Sequence, residues 1–129
     1  EPTSMLDVSI RISIMDLMLN LAKDLEVSYL YITHDLAVAR YMCDRIAVMF
    51  NGKIVEIAAT EELLSNPIHP YTKRLISSIP IPDPSYKRER YELDYTELDL
   101  IIKNNSNNEP MVEVKENHFV ATHDVKEIL

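Results

Sequence analysis

Only one of the 129 residues is a glycine, Gly52, where average usage of roughly 7% would place about 9. Loops that cradle phosphate with backbone N–H groups need several glycines, because a Cβ blocks the close approach. Neither a P-loop nor a dinucleotide fingerprint can be written from these residues. The lone glycine instead follows Asn51, between the apolar runs 45–50 and 53–57. Asn-Gly in that setting is the strongest short hairpin signal, since both turn positions require positive φ. A hairpin is therefore predicted, with Gly52 spent on its turn.

Other counts narrow the function classes. A single cysteine, Cys43, excludes an internal disulfide framework and any all-cysteine metal or iron–sulfur site within one chain. It is expected to be a small buried apolar residue in a reducing compartment. A formal net charge of −8 without a basic stripe argues against nucleic acid as the main partner. Hydrophobic residues make up 47%, enough for a packed core. No apolar run reaches the roughly 18 residues of a membrane span. With no signal peptide at the start, the cytoplasm is the expected compartment.

Ile79-Pro80-Ile81-Pro82-Asp83-Pro84 blocks helix and favours an extended path, so a boundary is placed between residues 80 and 81. The body, 1–80, has 7 basic and 10 acidic side chains, and the appendage, 81–129, has 6 and 11.

Within the body, Asp7 is expected to cap a helix over about 8–26. Ile10, Ile14, Leu17, Met18, Leu21 and Leu25 make one apolar face, and Ile12, Met15, Leu19 and Ala22 widen it, as in a helix covered on more than one side. Tyr29-Leu30-Tyr31-Ile32-Thr33 suits a strand buried on both faces of a parallel sheet. His34 ends it, and Asp35 can cap a short helix over 36–43. After the hairpin, Thr60 can cap a helix with Glu61 and Glu62 at its positive end, stopped by Asn66-Pro67. A further helix starts near Pro70. In the appendage, 111–114 and 118–121 can pair across Glu116-Asn117, and the acidic stretch from Glu89 to Asp99 is most simply a solvated face. These elements give an α/β fold class.

Glu1-Pro2-Thr3-Ser4-Met5-Leu6-Asp7 resembles the end of the Walker B strand and the D-loop in nucleotide-binding subunits of ABC transporters. About 27 residues later, Thr33-His34-Asp35 looks like that family's switch-histidine motif. The segments 44–49, 52–56, Asn66-Pro67-Ile68-His69-Pro70-Tyr71-Thr72-Lys73 and 80–84 resemble the oligopeptide/dipeptide/nickel importer branch. Residues 109–123 resemble the end of its C-terminal extension. The resemblance covers nearly the whole chain, most weakly over 86–108.

It implies a P-loop NTPase (RecA-like) core whose C-terminal portion is residues 1–80, with an importer-type extension over 81–129. The P-loop, glutamine loop, Gly-rich signature and Mg-binding Asp would lie before Glu1. Glu1 would be the carboxylate that orients or deprotonates the attacking water. His34, which alone reads most simply as a structural residue at a strand end, would hydrogen-bond the γ-phosphate. Ser4 and Asp7 would sit in the D-loop against a second ATP-binding subunit, a role compatible with Asp7 as helix cap. ATP and Mg2+ are implied for the intact subunit, and none for this chain alone.

Some members of this branch hold an iron–sulfur cluster through extension cysteines. The corresponding position here is Thr122, so no cluster is expected. His118 and His123 read as surface histidines, because an offset of five puts them on opposite faces of a strand. Tyr29, Tyr31, Tyr41, Met15, Met18 and Met49 follow core periodicity and are expected to pack in the interior rather than stack on a nucleotide.

The resemblance further implies permease partners, an extracytoplasmic solute-binding protein at one remove, and a peripheral position on the inner face of the membrane. Two alternatives stay open: a non-enzymatic module that folds and self-associates, and an ABC-type ATPase outside transport.

Overall fold

A computed structural model describes residues 6–79, 103 and 110–122. Its element order is α1 (Val8–Asp24), α2 (Leu36–Met42), β1 (Arg45–Phe50), β2 (Lys53–Ala59), α3 (Thr60–Ser65), α4 (Pro70–Ser77), β3 (Met111–Lys115) and β4 (His118–Ala121). The chain divides into two compact units, Glu1–Cys43 and Asp44–Leu129. The boundary expected at 80/81 lies outside the described residues. No described helix is long and apolar enough to cross a membrane.

The first unit is helical. Asp7 occupies the N-cap of α1, but its side chain accepts no capping hydrogen bond, so the expected side-chain cap is corrected to a positional one. The helix ends at Leu25, and Glu26 turns the chain with φ 52°. Residues 29–33 form no strand, which corrects the expected parallel-sheet strand. A strand exists only through a hydrogen-bonded neighbour, and no described strand lies beside this segment. Its side chains accordingly meet solvent, with Leu30 91% and Ile32 74% exposed. The α1 face is also largely bare, Leu17 being 57% and Leu25 63% exposed. The widened face expected for a doubly covered helix is therefore uncovered here.

The second unit is built on one antiparallel sheet of order β1-β2-β4-β3, so a mixed fold of helices and antiparallel sheet replaces the expected parallel arrangement. The β1–β2 hairpin turns through Asn51 (φ 47°) and Gly52 (φ 77°), as the sequence requires. Val48 pairs with Glu56 and Met49 with Ile54, leaving Val55 as an extra residue. This bulge brings two consecutive residues, Val55 and Glu56, out of solvent.

The C-terminal hairpin turns through Asn117 (φ 58°), a residue that tolerates the left-handed region. It joins the sheet by pairing Glu56 with Val120 and Ile57 with Phe119. Thus β4 lies against β2, and β3 forms the outer edge. Between these strands and the helices, Ile46, Val48, Val55, Ala58, Leu63, Ile76, Val120 and Ala121 make the core. Burying a side chain such as Leu63 stabilises by about 1.5–3 kcal/mol.

Thr60 is the first residue inside α3, and Ala59 is its N-cap without a side-chain bond. The expected Thr60 cap is thus displaced by one position. The hydrogen bond from Thr60 N–H to the Asp44 carbonyl, at 3.0 Å, and the burial of Thr60 tie that residue to the sheet instead. The α4 helix has Pro70 at its first turn, where a missing N–H costs nothing. The Phe50 and Tyr71 rings meet with centroids 4.4 Å apart and planes tilted by 39°, connecting the end of β1 to α4.

Candidate functional site

Two groups of side chains carry the polar chemistry. In the first unit, His34 is exposed at a bend just before α2. The Thr33 hydroxyl accepts from the Asp35 N–H at 3.0 Å. Asp35 Oδ1 accepts from the N–H groups of Ala37 and Val38 at 2.9 and 3.3 Å. The chain is thereby locked on both sides of His34 by short local bonds, of the kind Thr and Asp make at helix starts. Asp7 is exposed at the start of α1. Glu1 and Ser4 lie outside the described residues.

The second group is buried. Glu56 is 0% exposed and His118 1%. His118 Nε2–H donates to Glu56 Oε1 at 2.7 Å. The same carboxylate accepts from the Ile68 N–H at 2.8 Å through Oε1 and from the His69 N–H at 3.0 Å through Oε2. One anion therefore gathers β2, the 66–69 segment and β4. A buried carboxylate is tolerable only with such compensation.

His69, also buried, caps α4: its Nδ1 accepts from the Tyr71 N–H at 3.1 Å. That role requires a bare Nδ1. Burial pushes the His69 pKa down to about 4, against the attraction of Glu56, with the positive charge of Lys73 adding to the fall. At the rim, Lys115 Nζ donates to Glu62 Oε1 at 2.8 Å, and Asn66 Nδ2 donates to Glu62 Oε2 at 3.3 Å. The lysine bond chiefly holds the Glu62 carboxyl below its usual range. His118 Nδ1 faces Glu62 Oε1 at 3.8 Å, too far for a hydrogen bond. No group of three or more His, Cys, Asp or Glu among the described residues could hold a metal ion.

Residues 55–104 match the family described as "Oligopeptide/dipeptide transporter, C-terminal region". The similarity extends well beyond them. Over 120 residues, 93% of this chain, the sequence is 48% identical to the oligopeptide transport ATP-binding protein OppF of Bacillus subtilis. It is 46% identical over 121 residues to the oligopeptide transport ATP-binding protein AmiF of Streptococcus pneumoniae. It is 42% identical over 120 residues to the dipeptide transport ATP-binding protein DppF of Lactococcus lactis, again over 93% of this chain in both cases. The chain spans 39%, 38% and 38% of those relatives' lengths. The resemblance to the C-terminal part of such subunits, read from motifs, is borne out.

The matched stretch begins one residue before Glu56 and contains both backbone donors to that carboxylate, while the third donor, His118, lies beyond it. Sequence reasoning missed this carboxylate and misplaced the histidine. His118 is buried rather than on the surface, because β4 pairs along β2 and turns the imidazole onto Glu56. The available signal was an acidic residue inside an apolar strand, Ile54-Val55-Glu56-Ile57.

Three interior expectations are corrected as well. Tyr29 (46%), Tyr41 (49%) and Met49 (61%) are exposed. Met15 is buried, while Tyr31 and Met18 are half-buried. Cys43 is also half-buried rather than fully interior. Tyr29 belongs to the segment without a strand partner, and Met49 points outward from β1, the opposite edge strand from β3.

Proposed function

We propose that this chain is part of the ATP-binding, ATP-hydrolysing subunit of an ABC importer of peptides or related solutes. The observation that carries the reading is the 48% identity to an oligopeptide transport ATP-binding protein across 93% of the chain. In this reading Glu1 is the carboxylate that positions the attacking water, and His34 meets the γ-phosphate. Ser4 and Asp7 meet the second ATP-binding subunit. The rigid start of α2, with Thr33 and Asp35 bonded on either side of His34, suits a residue that must hold one position in the transition state. Residues 1–80 are the end of a P-loop NTPase core, and 81–129 are the importer-type extension.

The substrate MgATP does not fit this chain's own residues. Its single glycine serves a hairpin turn, so the phosphate cradle and its lysine must come from elements outside this sequence. The chain alone is therefore inactive. Permease subunits and a solute-binding protein are the further partners, and the subunit works at the inner face of the membrane without entering it.

Calorimetry tests this division of labour. The full-length subunit binds MgATP in the micromolar range, and the 129-residue chain gives no Mg-dependent heat. Specific micromolar binding by the chain alone contradicts the assignment.

One observation favours a second reading, a self-associating module without activity of its own: the bare apolar side of α1 and of residues 29–33. It is separable by the mass of the natural gene product.

A further inference from the structure

We propose that Tyr41 and Asp16 are positioning residues for His34. The inference rests on the reading of His34 given above. The two helices concerned begin at two of the proposed functional positions of this unit: α1 follows Asp7, and α2 follows the His34 turn. The Tyr41 hydroxyl, near the end of α2, donates to Asp16 Oδ1 in the middle of α1. That bond, with burial and the carboxylate's charge in support, holds the phenol proton more tightly than usual.

Among the described residues of this unit only Met15 and Ala39 are buried, one on each helix. Met15 directly precedes Asp16, and Ala39 lies two positions before Tyr41. A seven-residue helix with so little buried surface gains almost no orientation from packing alone. The segment leading to it, 27–33, is in no regular element. The charge-assisted bond between Tyr41 and Asp16 ties α2, and with it the turn that carries His34, to α1.

A catalytic group displaced by an ångström loses a large part of its effect, while substrate binding by other elements is untouched. Tyr41 and Asp16 thus act on turnover through His34 without touching the substrate.

The test uses the full-length subunit in its assembled transporter, with His34→Ala as the reference. Tyr41→Phe and Asp16→Asn are each expected to lower kcat about tenfold, with KM for ATP and the melting temperature little changed. The double variant should fall no further than either single one, because the same contact is removed once. In the 129-residue chain, Tyr41→Phe should also shift the NMR signals of the His34 imidazole. If His34→Ala abolishes turnover but Tyr41→Phe leaves kcat and the His34 signals unchanged, the positioning role is wrong and the reading of His34 stands. If His34→Ala leaves turnover unchanged, the reading itself fails and the positioning role with it. Fully additive losses, or a loss matched by a lowered melting temperature, also overturn the inference.

Discussion

His118 Nε2 lies 2.7 Å from Glu56 Oε1, joining residues 62 positions apart in a site closed to solvent. The bond is the chemical counterpart of the β2–β4 pairing, and both attach the C-terminal hairpin to the rest of its unit. Two further donors on the same carboxylate come from the segment that precedes α4. Three pieces of chain therefore depend on one side chain.

Glu56→Ala should accordingly destabilise the second unit by about 3 kcal/mol or more, because it strands three donors at once, two of them fully buried. Chemical denaturation measures the loss. Hydrogen exchange should show the amides of β4 and of Ile68 and His69 losing protection together, whereas exchange confined to one of them contradicts a shared anchor.

His69 gives the unit an acid sensitivity of known sign. Its folded pKa, about 4, is below the unfolded value near 6.5. Between those values the unfolded chain binds the extra proton, so stability falls as pH falls. The contribution is complete above about pH 6.5 and is lost on the way down to about pH 4, amounting to about 3 kcal/mol at most. His69→Asn keeps a capping side chain and removes the titration. Denaturation at pH 7 and pH 4.5 should show a smaller difference in this variant than in the parent chain.

Thr72 is 0% exposed, and its hydroxyl has no hydrogen-bond partner among the described residues. Replacing it with Val keeps the shape and removes an uncompensated polar group. Stability should rise by about 1 kcal/mol, read from the denaturation midpoint. A loss of similar size would mean that the hydroxyl is paired.

The apolar side of the first unit should drive association. Leu17, Leu25, Leu30 and Ile32 are each more than half exposed, and patches of that kind seek cover. Light scattering of the isolated chain at tens of micromolar should give an oligomer, most simply a two-fold dimer. A monodisperse monomer with a cooperative thermal transition contradicts this.

Much of the local structure was legible because it is set by neighbouring residues. Asn51-Gly52 fixed its hairpin through positive φ, Asp35 capped α2, and Pro70 opened α4. What depends on distant partners was not legible. Residues 29–33 have the composition of a buried strand, but composition supplies no neighbour to pair with. Glu56 entered the interior because a bulge at Val55 changes which side chains leave solvent, and alternation cannot foresee a bulge. His118 followed from it, since only the pairing of β4 on β2 turns that imidazole inward. For the proposed catalytic residues, the Asp35 cap was legible from local bonding, while the motif around His34 could be read only as a resemblance to a family. The role of Tyr41, 25 positions from Asp16, could not.

The most direct test of the account is steady-state ATP hydrolysis by the full-length subunit carrying Glu1→Gln or His34→Ala. A base or charge stabiliser acting mainly in the transition state predicts a fall in kcat of about 100-fold or more, with ATP binding largely kept. Unchanged hydrolysis in both variants would contradict the assignment of this chain to the catalytic part of an importer ATPase.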